Sequence, residues 1–209
     1  AFQWSGKGAA VCLLVVNRGE VMSTQVTTHV EVTYSGRNKK TAFWRPILVI
    51  PMALFACTFM PMGHWGWGAS GIIVLPVVLS LLFRSKYPCY VLTFNHAILE
   101  LQTRIAAYVL LLNDDFPTIE RNSKVAVMLP DVEGGKKLSP WLPLVKWILA
   151  LPLILVGFLY SLWGAVLTII AWVATWSTGN LPTWAGSYNI RLLQFWNRVT
   201  GYCIILVTD

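Results

Sequence analysis

The chain has 209 residues, of which 56% are hydrophobic and only 12% charged, and its mean hydropathy is +0.61. A soluble domain carries about 25% charge, so this much apolar surface cannot be hidden inside a water-soluble body of this size, and lipid must be the solvent for much of it. The net charge of +7 comes from Lys and Arg placed singly or in pairs without a basic stripe, which argues against nucleic acid as a partner.

Residues 1–25 read as an N-terminal extension or leader. The run 9–16 is apolar but only Lys7 precedes it, and Met22 opens a more natural start. Residues 26–34 (VTTHVEVTY) alternate between apolar and polar, which predicts a half-buried strand. An apolar block of about 41 residues follows, Phe43 to Phe83. As one helix it would run to about 60 Å at 1.5 Å per residue, twice the hydrocarbon thickness. Its centre, 61–68, is rich in Gly and Trp, so the expectation is a transmembrane hairpin over 44–83, with arms 44–61 and 67–83. Residues 92–112 carry Ile98, Leu101, Ile105, Val109 and Leu112 at helical spacing, with Glu100 and Arg104 as an i,i+4 pair. Polar residues in the middle of that helix favour a place on the lipid surface over a further span.

Asp114-Asp115-Phe116-Pro117 ends the helix, and a polar linker over 118–142 holds a second strand candidate, Lys124 to Met128. The second apolar block, 142–177, has a less polar middle, Gly157 to Gly164. Taken alone it reads as one long tilted helix, whereas its place in the repeat described next argues for a second hairpin. A second amphipathic helix is expected over 188–207, with Arg191, Gln194 and Arg198 on one face and Leu192, Phe195, Val199, Cys203 and Leu206 on the other.

The chain echoes itself. Residues 82–115 align without a gap onto 176–209 at an offset of 94, so that Pro88, Asn95, Leu99, Arg104, Tyr108 and Asp115 recur as Pro182, Asn189, Leu193, Arg198, Tyr202 and Asp209. Lys39-Lys40, Trp44 and Pro46 recur as Lys136-Lys137, Trp141 and Pro143 at an offset of 97. The expected organisation is a repeat over 26–117 and another over 118–209. The fold class is then an all-α membrane protein: two tandem transmembrane hairpins (four membrane helices), each followed by an amphipathic interfacial helix, plus a small strand pair. All 16 Lys and Arg avoid 46–83 and 147–190. The positive-inside rule therefore places the charged segments and both termini in the cytoplasm and the hairpin tips on the far side, with the two halves as parallel repeats.

The unit of hairpin, Tyr-Pro, Phe-Asn, Arg-x3-Tyr and closing Asp resembles a bacterial integral membrane family of unknown function. The first copy carries Tyr87-Pro88, Phe94-Asn95, Arg104 to Tyr108 and Asp115-Phe116-Pro117; the second carries Leu181-Pro182, Tyr188-Asn189, Arg198 to Tyr202 and Asp209. The second copy lacks the Tyr-Pro pair. The resemblance covers about residues 40–209. It implies a multi-pass protein of the bacterial inner membrane and brings no activity.

Candidate chemistry is sparse. Four cysteines (Cys12, Cys57, Cys89, Cys203) show no CxxC or metal-ligand spacing. No acidic residue lies within either apolar block, which counts against an ion-coupled carrier. Adjacent Asp114 and Asp115 point different ways on a helix and make a poor acid–base pair. His64, between Gly63 and Trp65, is the one weak candidate ligand for a pigment or haem, a solvated turn histidine being the alternative. The repeated arginines, Arg104 and Arg198, with Tyr108, Tyr202, Asn95 and Asn189, are the candidate contacts to a lipid phosphate or a partner subunit. The alternative is a structural tie of each arginine to a facing loop.

No catalytic set, no metal and no cofactor beyond a bound lipid is implied. The expected role is a non-enzymatic accessory or scaffold subunit of a membrane complex, with the bilayer and other membrane subunits as partners. The alternative is a lipid or small-molecule transporter with its site between the two repeats.

Overall fold

The computed structural model describes residues 25–57, 74–84, 86–120, 124–130, 132, 138–139 and 141–208. Strand β1 (Thr27–Val30) pairs antiparallel with β2 (Val125–Met128), with Thr27 opposite Met128 and Val30 opposite Val125. The expected strand pair is therefore present. Between the strands come α1 (Lys39–Leu48), α2 (Ile50–Cys57), α3 (Leu75–Arg84) and α4 (Cys89–Val109); after them come α5 (Leu142–Thr178), α6 (Thr183–Thr200) and a π-helical turn over Gly201–Ile205.

Four membrane helices in two hairpins are not what forms. Among the described residues, one helix is long and apolar enough to cross a membrane, Val145–Thr178 within α5. The expected second hairpin is one unbroken helix of 37 residues that carries Pro152 inside it. The two halves therefore do not form parallel hairpin repeats. The reason lies in Gly157 and Gly164. Both lie within the helical run, buried rather than at a bend. A β-carbon on Gly157 would come within 2.7 Å of Phe195, and one on Gly164 within 2.7 Å of Leu192. These glycines serve close helix packing. They recur every seven residues with buried Ala150 and Ala171, a spacing that keeps small residues on one helix face. Helix α6 runs antiparallel along that seam.

The first apolar block forms three short helices of 10, 8 and 10 residues, with its Gly- and Trp-rich tip outside the described residues. Pro46 lies inside α1 and lacks the N–H that would bond to the carbonyl of Ala42. That carbonyl instead accepts from Trp172 Nε1 at 2.8 Å, which fastens α1 to the last turns of α5. Phe43 stacks with Trp172 and lies 5.3 Å from Trp176 between ring centroids at the same junction. Lys39 reaches the carbonyl of Ser177, one of the carbonyls that the end of α5 leaves without a helical partner.

Helix α4 also departs from expectation. Twelve of its residues are buried within the protein, and Val91, Leu92, Ile98 and Leu99 join Val77, Val78, Leu81, Val127 and Ile205 in the main core. His96, Glu100, Thr103 and Arg104 in its middle are buried. Helix α6 and the π turn after it keep the predicted amphipathic split: Leu192, Val199 and Cys203 are buried and Arg191 and Arg198 exposed, but the apolar face meets α5.

Helices α4 and α6, which carry the echoed sequence, are cross-braced. Each begins after a proline, Pro88 or Pro182, and each is followed by a leucine in left-handed conformation, Leu111 or, past the π turn, Leu206. Tyr87, just before α4, donates to the carbonyl of Ile205 beyond α6 at 2.8 Å. Asn189 in α6 donates to the carbonyl of Leu110 at the end of α4 at 2.9 Å. His96 of α4 lies 2.6 Å from the Val127 carbonyl of β2, and because a carbonyl only accepts, His96 Nε2 carries the proton. Gln194 of α6 donates to the Thr28 carbonyl of β1 at 3.2 Å. Each helix thus braces the strand from the other half of the chain.

Candidate functional site

Arg104 sits on the buried flank of α4. Its Nη1 donates to the carbonyls of Thr118, Ile119 and Glu120 at 3.0, 3.2 and 2.5 Å. Its Nη2 pairs with Glu100 Oε2 at 3.2 Å, the predicted i,i+4 pair. Glu100 is itself buried, and its other oxygen lies 3.7 Å from His96. The guanidinium therefore pins the 118–120 loop to the helix while neutralising a buried carboxylate. A planar fork with several donors suits this role; a lysine ammonium has one nitrogen to offer.

Its sequence counterpart lies elsewhere in kind: Arg198 is exposed on α6. Tyr108 is buried, with the Arg45 guanidinium 4.8 Å from its ring centre and Phe116 at its edge. Tyr202 is half-buried and holds the Lys146 ammonium 5.4 Å from its ring centre. Asn95 and Asn189 are both 0% exposed. Asn95 hydrogen-bonds the Tyr87 side chain, whose hydroxyl burial pushes above the ordinary tyrosine range. The structure does not gather these six residues into one pocket. His64 lies outside the described residues, and among those residues no three His, Cys, Asp or Glu side chains converge as metal ligands.

Two charged clusters went unread in the sequence. Arg37 and Arg45, both buried, meet at Asp114: Arg37 Nη1 lies 3.3 Å from Asp114 Oδ1, and Arg45 Nη2 contacts the same oxygen. Arg45 Nη1 also donates to the carbonyls of Tyr108 and Asn113 at 3.3 and 3.2 Å, and Arg37 Nη2 to that of Leu112 at 3.2 Å. Two cations thus close over the chain where it leaves α4, at the negative end of the helix. Burial holds the Arg37 guanidinium down at about 10, against an ordinary value of 12.5. Keeping a buried guanidinium charged is a cost to the fold. Asp114, 31% exposed, offsets part of that cost. Asp114→Asn is expected to lower stability at pH 7 by about 2 kcal/mol; denaturation of the native and variant chains checks it. The second cluster is Lys146, which is buried and donates to the Thr208 carbonyl at 2.6 Å, beside the Trp147 Nε1 bond to Cys203 at 2.8 Å. The available signal was modest: Arg45 and Lys146 each begin an apolar block, where a cation needs a carbonyl or a carboxylate.

A cleft of about 250 Å³ opens where α4, α5 and α6 meet. Leu99, Gln102, Thr103 and Ala106 line it from α4, and their partners 94 residues on, Leu193, Trp196, Asn197 and Thr200, line it from α6. At its floor Thr103 and Asn197 hydrogen-bond each other, with Asn197 Nδ2 also donating to Thr28 Oγ1 at 2.9 Å. At its wall Trp196 Nε1 donates to Ser161 Oγ of α5 at 2.8 Å.

The fold and this site define a mostly helical protein with a two-stranded sheet and one candidate membrane helix. No protein-family model, curated protein or solved structure matches the chain.

Proposed function

We propose that the chain is a non-enzymatic accessory or scaffold subunit of a membrane complex, seated in lipid through α5 and the short apolar helices beside it. One observation carries the reading. Helix α5 spends its small residues on its own protein and turns its large ones outward: Leu155, Phe158, Leu159, Leu162 and Trp163 are each more than half exposed. Ile47 and Leu54 on α1 and α2 and Leu75 and Phe83 on α3 add exposed apolar side chains. A surface of this size and character fits lipid tails or other membrane helices. Among the described residues the buried cations bond carbonyls and carboxylates of the chain itself, which suits a rigid body that presents a surface. The echoed helices α4 and α6 are read as copies of one ancestral unit, supported by the reciprocal bracing and by the Thr103–Asn197 contact between equivalent positions.

A lipid- or small-molecule-handling transporter is the second reading, favoured by the cleft between α4 and α6. Purification of the full chain from membranes in a mild detergent separates the two. Co-purifying membrane subunits at fixed stoichiometry are the expected result. A chain that resists carbonate extraction but purifies alone with bound lipid favours the second reading, and a chain released by carbonate overturns both.

A further inference from the structure

We propose that the cleft between α4, α5 and α6 holds one hydrocarbon chain of a membrane lipid. The inference rests on the membrane seating of α5. Three observations point to a hydrocarbon occupant. The first is chemical. The polar groups at the floor and wall are committed to one another: Thr103 to Asn197 and to the Leu99 carbonyl, Asn197 to Thr28, and Trp196 to Ser161. Gln102 and Thr200 add one further polar side chain from each of α4 and α6, and the rest of the lining is leucine and alanine, contributed by Leu99, Ala106, Leu110, Leu192 and Leu193. A polar ligand would lose its water with little in return, whereas a hydrocarbon chain loses nothing.

The second observation is depth. Ser161 lies midway along the apolar run Val145–Thr178, the part of α5 furthest from either end. Phe158 and Leu162, its neighbours on the helix, are more than half exposed. Ser161, which lines the cleft, thus sets it at mid-height of α5, the level where lipid tails lie if α5 spans the bilayer. The third is size. A volume of about 250 Å³ equals that of about eight waters at ~30 Å³ each. It suits a stretch of chain and is too small for a lipid with its headgroup.

The test reconstitutes the full chain into phosphatidylcholine and phosphatidylglycerol vesicles whose lipids carry a photoactivatable diazirine midway along one acyl chain. After irradiation, adducts are mapped by mass spectrometry. Adducts are expected on the segments around Ala106 and Ser161 as well as on the outward residues Leu155 and Leu159. Two separate fillings, Ala106→Trp from α4 and Thr200→Trp from α6, should each reduce cleft adducts several-fold and leave those at Leu155 and Leu159 unchanged. Circular dichroism shows which variants remain folded. Adducts confined to the outward face of the native chain overturn the inference while leaving the membrane reading intact, as do folded variants that keep their cleft adducts. No adducts anywhere would overturn both.

Discussion

Arg104→Ala should destabilise the isolated protein by about 3–5 kcal/mol, while Arg198→Ala should change it by no more than about 0.5 kcal/mol. The two arginines occupy equivalent places in the echoed sequence, so sequence alone assigns them one role. Their surroundings assign them two. Arg104 is buried, spans three loop carbonyls and faces a buried Glu100. Removing it takes the guanidinium from the buried Glu100 carboxylate and frees the 118–120 loop. Arg198 is exposed, where water replaces whatever a substitution takes away. Arg104→Lys should fall between, because one ammonium cannot reach Glu100 and three carbonyls together. Thermal melts of the three variants in one detergent check the order. Equal losses for Arg104→Ala and Arg198→Ala would refute the assignment.

Gly164→Leu should cost about 3 kcal/mol, at the upper end of the overpacking range. A β-carbon there meets Leu192 at 2.7 Å and Tyr188 at 3.1 Å, and a whole isobutyl group must push α6 away from α5. The Tyr188 hydroxyl bond to the Tyr160 carbonyl (2.7 Å) and the bonds between Asn189 and Thr168 cross the same interface and would be stretched with it. Leu159→Phe, one turn away on the exposed face, is the control and should leave the melting temperature within about 1 °C of the native chain. If both variants melt alike, the seam is not where α5 and α6 are held together.

The two predictions separate what could be read from the chain and what could not. The first strand was legible because alternation of period two is local, and the second as a short apolar run bounded by polar residues. The Glu100–Arg104 pair was legible for a similar reason: residues four apart on a helix are always neighbours. The amphipathic split of α6 could also be read, because its arginines and its apolar residues separate cleanly on a helical wheel.

Other features needed the folded chain. Gly157 and Gly164 look like the tip of a hairpin in a sequence already read as repeating, and the first apolar block, with its Pro and Gly centre, encouraged that analogy. Glycine in an apolar run has two uses, as a turn or as room for a neighbour. Only the position of Phe195 and Leu192 tells them apart. Helix α4 posed a related problem. Polar residues in a helix imply water or a lipid headgroup until the partners are known, and the partners of Arg104 and His96 come from the 118–120 loop and from β2.

What the sequence by itself determined is an unusually apolar composition and the local chemistry of some elements: a strand pair, an i,i+4 ion pair and an amphipathic helix. What the tertiary structure alone decided is that the second apolar block is one helix and that Arg37 and Arg45 close the end of α4 on Asp114. It also decided that equivalent arginines serve unlike purposes. The physical reason is range. Helical and strand periodicity are set by neighbours within about four residues, whereas a buried charge or a packed glycine is justified only by atoms brought to it from distant parts of the chain.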